Sequence, residues 1–271
     1  MTELATGESP TVPPTGSVPV LEMTGVTVGA MNDPSVEILR EVDWAVQAGD
    51  YWAVAGLHRS GKTDLLAVAA GVARPRCGAV RVSGCELSTG IEHERLSARL
   101  QVGMVFDGGQ LFHHLTLAEN IALPLQYHAA VGESAGAARI ESLIEFTGLA
   151  AWSARRPAQV SRNWQQRIGL ARALALKPRL LLLDNPLSGL DPRDIAWWLE
   201  HLDALAGGHE LLNGKPLTLV VTGDDFRPWQ NRARQFALLS GPALHILGGR
   251  EELRNQTHPL MQVLLDPPVP H

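Results

Sequence analysis

The feature that most constrains this chain is a glycine-rich loop at residues 56–63, which reads GLHRSGKT. It fits the pattern G-x-x-x-x-G-K-[ST] at every specified position. The strand-like run YWAVA precedes the loop, and the apolar helical run TDLLAVAA follows it. Glycines let backbone N–H groups turn around phosphate oxygens, and a helix N-terminus adds positive charge. This strand–loop–helix unit therefore predicts a phosphate-binding site in an α/β fold.

The residue types in this loop predict how a nucleotide would be held. Lys62 would reach the β- and γ-phosphates, and the Thr63 hydroxyl would bind Mg²⁺. A chance match in a glycine-rich turn is the alternative, but it does not explain why strand, loop and helix follow in the required order. The residues expected to contact the nucleotide are Gly56, Leu57, His58, Arg59, Ser60, Gly61, Lys62, Thr63 and Asp64.

Two further apolar runs predict neighbouring strands of a buried sheet. RLLLLD and LTLVVTG are continuous runs of the kind found in strands that are covered on both faces. Asp184 ends the first run and is followed by NPLSGLDP. A carboxylate in that place can hold Mg²⁺ through water, so Asp184 is a second candidate metal ligand beside Thr63.

The chain is predicted to form one folded domain between two tails. Residues 1–17 are rich in Pro, Thr, Gly and Ser and predict a disordered tail. The folded domain is expected over residues 18–255, with a mostly helical part from about 108 to 166. Residues 256–271 contain several prolines and are read as a C-terminal tail.

Composition argues against several classes of protein. No apolar run reaches the roughly 18 residues that span a bilayer, and the N-terminus lacks the basic and apolar regions of a signal peptide. The net charge of −5 argues against a nucleic-acid partner, because such partners usually meet a basic surface. Cys77 and Cys85 have no His/Cys cluster around them, so we interpret them as reduced thiols.

With these motifs in this order, the chain resembles the ABC ATPases over about residues 18–250. GLHRSGKT resembles Walker A, and VGMVFDGGQLFHHLTLAENIALPL resembles the Q-loop with the helical subdomain. VSRNWQQRIGLARALALKPRLLLLDNPLSGLDP resembles the signature, Walker B and D-loop block. The resemblance implies an ABC nucleotide-binding domain with a RecA-like core, an antiparallel β subdomain and a helical subdomain. GGQLF and ENIALPL are most similar to ATPases of Mla/Mce-type lipid transporters.

The resemblance also implies ligands and partners. Members of this family bind ATP with Mg²⁺, associate with a transmembrane permease at the inner face of the cell membrane, and pair as two cassettes. A homodimer and a heterodimer with a paralogue both stay open. The permease's coupling helix would contact a groove formed by residues 107 to about 124. The residues expected at the signature and the dimer interface are Ser161, Arg162, Asn163 and Asp191.

The chain departs from the family pattern at the positions that carry the chemistry. Asp107 replaces the Q-loop Gln, Asn185 replaces the catalytic Glu after the Walker B Asp, and Gly223 replaces the switch His. The signature reads VSRNW where the family has LSGGQ, so Arg162 and Asn163 replace two glycines. No aromatic residue in GVTVGAMNDPSVEILR offers a stacking platform for adenine.

These departures predict that nucleotide binding is kept while hydrolysis is impaired or lost. Asn185 can hydrogen-bond a water but cannot accept its proton, and losing a positioned base costs about 10²–10⁴ in rate. Gly223 has no side chain that could contact the γ-phosphate. Asp107 would be tolerated beside the phosphates mainly with Mg²⁺ between them, which makes it a third candidate metal ligand. Arg162 is either a surface residue at a helix start, which we favour, or an arginine finger.

Three hypotheses of function follow. The first is the ATP-binding subunit of a membrane transporter, importer-like or lipid-handling, and the second is a non-hydrolysing, nucleotide-responsive regulatory or structural cassette. The third, an ABC protein that acts on nucleic acid, is disfavoured by the single cassette and by the charge of −5. Whether the chain is an active ATPase is left open at this point.

Overall fold

The computed structural model describes residues 18–128 and 133–265. The predicted disordered tail, residues 1–17, lies outside the described residues. The strands of the described part are β1 Leu21–Gly29, β2 Glu37–Val46, β3 Tyr51–Gly56, β4 Cys77–Val82, β5 Cys85–Glu86, β6 Val102–Val105, β7 Leu180–Leu183, β8 Thr218–Gly223, β9 Gln235–Ser240 and β10 Ala243–Gly248. The helices are α1 Lys62–Ala69, α2 Glu92–Arg99, α3 Leu117–His128, α4 Glu133–Phe146, α5 Arg162–Leu174, α6 Pro192–Gly207, α7 Arg250–Arg254 and α8 Met261–Leu265.

The larger sheet has the strand order β10-β9-β3-β8-β7-β6. Its strands from β9 to β6 pair in parallel, and β10 pairs antiparallel to β9 at one edge. Every residue of β3, β7 and β8 is buried, as their continuous apolar sequences predict for strands covered on both faces. Alternate residues of β3 enter two different cores, with Tyr51 in one and Trp52 in the other.

The two cores place the sheet between two layers. On one face, β3, β7, β8 and β9 pack against helices α3 to α6, with Trp198 of α6 fully buried. On the other face they pack against α1 and a smaller antiparallel sheet of order β2-β1-β4-β5. This arrangement confirms the predicted α/β fold with an antiparallel β subdomain. Helices α3 and α4 lie within the segment that was predicted to be helical, residues 108–166.

The C-terminal segment differs from the predicted tail over residues 256–271. Its described part, through residue 265, packs on the domain. Met261 and Leu264 of α8 are buried in the larger core, and the backbone N–H of Phe226 donates to the carbonyl of Leu264 at 2.9 Å. The reason is the spacing of the two apolar residues, which places them on one face of a short helix. Within the described residues, no helix is long and apolar enough to cross a membrane.

Candidate nucleotide-binding site

The carboxyl ends of four parallel strands meet at one edge of the larger sheet. β3 ends at Gly56 before the glycine-rich loop, and β8 ends at Gly223 beside it. β7 ends one residue before Asp184, and β6 ends two residues before Asp107. Because parallel strands end at the same edge, residues that are far apart in the sequence lie together here.

The glycine-rich loop turns sharply from β3 into α1. Gly61 has φ +90°, and a Cβ atom on it would lie 2.4 Å from Cγ2 of Ile38, so a side chain is excluded there. At Gly56 a Cβ would lie 2.5 Å from the Ser60 hydroxyl oxygen. Helix α1 begins at Lys62, directly after the turn. The loop therefore directs backbone N–H groups and the helix N-terminus to one point, as phosphate binding requires.

Lys62 lies almost wholly inside this loop, with 8% of its surface exposed. Its Nζ atom donates to the backbone carbonyls of Gly56 at 2.7 Å and Leu57 at 2.9 Å. It also forms an ion pair with Asp224, with 3.2 Å between Nζ and Oδ1. The lysine is thus held at the mouth of the loop, in position to contact phosphates.

Asp184 lies beside Thr63 and Thr222 in a buried group of oxygen atoms. The Thr63 hydroxyl donates to Oδ2 of Asp184 at 2.7 Å, and the Thr222 hydroxyl donates to Oδ1 at 3.1 Å. Burial raises the pKa of the Asp184 carboxyl above its usual value. The two hydroxyls lower that pKa by hydrogen bonding, and the negative charge of Asp107 raises it further.

The Thr63 hydroxyl and the Asp184 carboxylate are suitable ligands for the Mg²⁺ that P-loop proteins bind together with a nucleotide. A hydroxyl and a carboxylate are hard ligands, and Mg²⁺ usually completes its shell with phosphate oxygens and water. Within residues 18–128 and 133–265, no group of three or more His, Cys, Asp or Glu residues is arranged to hold a metal by itself. With a nucleotide bound, Thr63 and Asp184 would hold Mg²⁺ together with its phosphates. Thr222 was not among the residues predicted from the sequence, although a hydroxyl at the end of the buried run LTLVVT is a signal for it.

Asp107 is engaged with the helix that follows the signature segment. Its Oδ1 atom accepts a hydrogen bond from the Arg162 guanidinium and another from Nε2 of Gln166 at 3.2 Å. Arg172 of α5 also donates to the carbonyl of Gly109 at 2.8 Å. These contacts fix the segment after β6 to α5. The guanidinium of Arg162 is thereby paired within its own chain.

Asn185 and Gly223 lie at the ends of neighbouring strands beside Lys62. Asn185 has φ +45°, a conformation that Asn tolerates better than most residues, and its backbone N–H donates to the Thr222 hydroxyl at 3.0 Å. Its Nδ2 atom donates to Oδ2 of Asp224 at 3.3 Å. Gly223 brings no side chain to this edge, whereas the carboxylate of Asp224 contacts both the Lys62 ammonium and the Asn185 amide.

The predicted dimer-interface residues occupy two helix starts. Ser161 precedes α5 and Arg162 begins it, and both are exposed. Asn163 is buried, with 8% of its surface exposed. Asp191 is the N-cap of α6 and accepts from the backbone N–H groups of Arg193 and Asp194, at 2.8 Å and 3.0 Å.

A largely apolar groove of about 630 Å³ lies beside the segment that follows β6. Its lining includes part of the stretch from which a partner contact was predicted, residues 107 to about 124. Phe112 and His114 are exposed there, whereas Leu111 is buried in the core. The groove's apolar lining includes Phe106, Phe112, Leu115, Leu123, Pro124 and Tyr127.

The fold and this loop together define a P-loop nucleotide-binding protein. A protein-family model described as ABC transporter matches residues 39–188, which is more than half of the chain. The chain therefore belongs to the ABC transporter family, and its fold is that of the family's nucleotide-binding domain.

Characterised relatives and solved structures agree with this assignment. The chain is 37% identical over 177 residues to the methionine import ATP-binding protein MetN 2 of Burkholderia mallei, covering 65% of this chain and 44% of that protein. It is 36% identical over 171 residues to the sulfate/thiosulfate import ATP-binding protein CysA of Synechococcus elongatus, covering 62% and 48%. The chain thus spans about half the length of the curated relatives it matches.

A solved ATP-binding cassette, MJ0796, has the same fold over nearly its whole length. Its dimeric post-hydrolysis structure bound to ADP and Pi superposes with a TM-score of 0.72 at 25% identity, covering 84% of this chain and 99% of that one. A second cassette, cbiO1 from Clostridium perfringens, superposes with a TM-score of 0.71 at 17% identity, covering 90% and 94%, and supports the fold alone.

Proposed function

We propose that this chain is an ATP-binding subunit of an ABC transporter, and that it binds Mg-ATP at residues 56–64. The observation that carries the proposal is the complete phosphate-binding set at one sheet edge: the tight loop, the buried Lys62 and the Thr63–Asp184 pair at 2.7 Å. In this arrangement the backbone N–H groups hold the phosphates, and the Thr63 hydroxyl and Asp184 hold Mg²⁺. The third candidate metal ligand, Asp107, is paired with Arg162.

Calorimetry with Mg-ATP tests the binding. We expect Lys62→Ala to weaken binding by about 100-fold, because a charge-assisted contact to phosphate is lost and the loop carbonyls lose their donor. Lys215→Ala removes the same charge from an exposed loop before β8 and serves as the matched control, with no change expected. Equal affinities for the wild type and Lys62→Ala would contradict the proposal.

We also propose that hydrolysis in this chain's own site is impaired or lost. In support, the side chain beside Asp184 is the amide of Asn185, which has no basic site for a proton. Gly223 offers no side chain on the neighbouring strand, and Asp107 is paired with Arg162. Each change removes a group that would orient or activate the attacking water.

The partners proposed for this chain are a transmembrane permease and a second ABC cassette, with the chain at the inner face of the cell membrane. The groove beside β6 supports the first partner, because its exposed Phe112 and Tyr127 could receive the apolar face of a helix. Ser161, Arg162 and Asp191 are exposed helix-start residues where a second cassette could dock.

The resemblance of GGQLF and ENIALPL to lipid-transporter ATPases makes a lipid one proposed cargo. The matched relatives are named for the import of methionine and sulfate, which makes small solutes the other.

Membrane association tests the permease contact. We expect Phe112→Asp to release the chain from the membrane fraction of its native host while Mg-ATP binding stays unchanged. Val263→Asp is the control, because Val263 is 62% exposed against 52% for Phe112 and does not line the groove. Retention of Phe112→Asp on membranes, or a wild type that never associates with them, would contradict the transporter subunit.

The second candidate is a non-hydrolysing cassette that responds to nucleotide without energising transport. The specific observation in its favour is the substitution of Asn185 and Gly223 on adjacent strand ends while the phosphate-binding loop is complete. Nucleotide binding without membrane association would favour this candidate over the transporter subunit.

A further inference from the structure

The ammonium group of Lys62 makes two hydrogen bonds and one ion pair within the chain. A lysine ammonium carries three N–H donors. The Nζ atom lies 2.7 Å from the Gly56 carbonyl, 2.9 Å from the Leu57 carbonyl and 3.2 Å from Oδ1 of Asp224. A phosphate group that binds this ammonium therefore competes with these oxygen atoms.

Asp224 is the acceptor that a phosphate would displace. The two carbonyls belong to the backbone at the end of β3, which is paired on both sides in the sheet. The side chain of Asp224 is 57% exposed and lies just beyond the end of β8. An exposed ion pair is weak, so this carboxylate can turn away while the carbonyls stay in place.

The Asp224 carboxylate lies on the side of the Lys62 ammonium where we expect the terminal phosphate of a triphosphate. In P-loop proteins the backbone N–H groups cradle the α- and β-phosphates, and the lysine reaches the β- and γ-phosphates. The Asp224 carboxylate bridges Nζ of Lys62 and Nδ2 of Asn185, at 3.2 Å and 3.3 Å. Asn185 directly follows Asp184, which marks the metal side of the site. A γ-phosphate and this carboxylate are both anions, and they compete for the same ammonium.

We propose that Asp224 is an internal counterion of the P-loop lysine that selects against the terminal phosphate and so favours ADP relative to ATP. The inference rests on the proposed binding of nucleotide at residues 56–64. A triphosphate brings a second phosphate group to Lys62 and more negative charge toward Asp224 than a diphosphate does, so the carboxylate opposes ATP more strongly than ADP. Asp224 is thereby a specificity-determining residue for the length of the phosphate chain.

Calorimetry with Mg-ATP and Mg-ADP on the wild type, Asp224→Asn and Asp225→Asn tests this. Asp225 is the matched control, because it is the next residue, carries the same charge and pairs with Arg227 instead of Lys62. We expect Asp224→Asn to tighten Mg-ATP binding about tenfold and to change Mg-ADP binding less than about twofold. Asp225→Asn should leave the ratio of the two affinities unchanged, and added salt should shrink the effect of Asp224→Asn by screening.

The same ATP-to-ADP affinity ratio in the wild type and Asp224→Asn would overturn the proposal while the proposed nucleotide binding stands. ATP turnover in the wild type that Asp224→Asn abolishes would make Asp224 a general base. That result would overturn this proposal and the proposed loss of hydrolysis together. Binding of neither nucleotide by any of the three proteins would overturn both proposals. Thermal unfolding checks that the variants fold, and Asp224→Ser serves as a second variant with a shorter neutral side chain.

Discussion

Two groups of residues at one edge of the larger sheet differ in how closely they match the family's motifs. The phosphate half comprises the glycine-rich loop, Lys62, Thr63 and Asp184, and it has each residue type that holds a nucleotide and Mg²⁺. The attack half comprises Asn185, Gly223 and Asp107, and in our proposal it lacks the groups that would orient and activate a water. The two halves meet between Asp184 and Asn185, which are adjacent in the sequence. The proposal thus separates nucleotide binding from hydrolysis at two adjacent residues.

The fold permits this difference because the backbone of the attack half is fixed without its side chains. The N–H of Asn185 is bonded to the Thr222 hydroxyl, and the N–H of Asp184 is bonded to the Val105 carbonyl at 2.8 Å. The strands before them are fully buried. Replacing a side chain at the strand end leaves these interactions in place, so the substitutions cost the domain little stability.

Restoring a base to the attack half is expected to have the largest effect. Asn185→Glu should raise the rate of ATP hydrolysis by about 10²-fold or more, because a positioned general base contributes about 10²–10⁴. Asn185→Gln is the control, since it has the same length and the same strain at φ +45° but cannot accept a proton. A steady-state phosphate-release assay measures both. Equal rates for the two variants would show that the attack half lacks more than its base.

In the phosphate half, the buried charge of Asp184 predicts a pH-dependent stability in the absence of Mg²⁺. The pKa of Asp184 is raised in the folded chain, mainly by burial. Between the ordinary and the raised pKa the folded state binds more protons than the unfolded state, so the free energy of unfolding falls as pH rises through this window. Asp184→Asn should lack this fall and be more stable at neutral pH, by on the order of 1 kcal/mol.

Urea unfolding at several pH values in a metal chelator measures the effect of Asp184→Asn. If the difference in stability between the wild type and Asp184→Asn did not depend on pH, this result would contradict the role of the buried charge. Adding Mg-ATP should reverse the order at neutral pH, because the bound cation compensates the carboxylate of the wild type alone.

The smallest effect is expected for the Asp107–Arg162 pair that joins the attack half to α5. Both side chains are partly exposed, at 38% and 56%, so the pair should contribute about 0.2–1 kcal/mol to stability. A double-mutant cycle of Asp107→Asn and Arg162→Gln, measured by urea unfolding, isolates the interaction. An arginine finger would instead appear as a loss of hydrolysis in a mixed dimer when Arg162 alone is changed.

Part of the fold and of the candidate site could be predicted from local sequence motifs. The loop, the strand that ends at Asp184 and the buried strands follow from short patterns whose physical causes lie within about ten residues. The contacts of Asp107 with Arg162 and of Lys62 with Asp224 do not follow from short sequence patterns, because they join segments that only the sheet brings together. Asp107 was predicted as a metal ligand, and its pairing with Arg162 could not be read from the sequence.

The C-terminal segment shows the same limit for the fold. Prolines predicted a tail there, whereas Met261 and Leu264 complete the larger core against the segment after β8. Two apolar residues in a five-residue helix are too weak a pattern to predict burial, since a helix this short depends on tertiary contacts for its stability.

A single-turnover experiment tests most directly the claim that this chain binds ATP without hydrolysing it. The purified chain, in excess over labelled Mg-ATP, is sampled over time for bound nucleotide and for its conversion to ADP, with Lys62→Ala in parallel. The account predicts that the wild type binds the nucleotide, that Lys62→Ala does not, and that the bound nucleotide is recovered as ATP. Conversion to ADP that depends on Lys62 would contradict it, as would the absence of binding by the wild type.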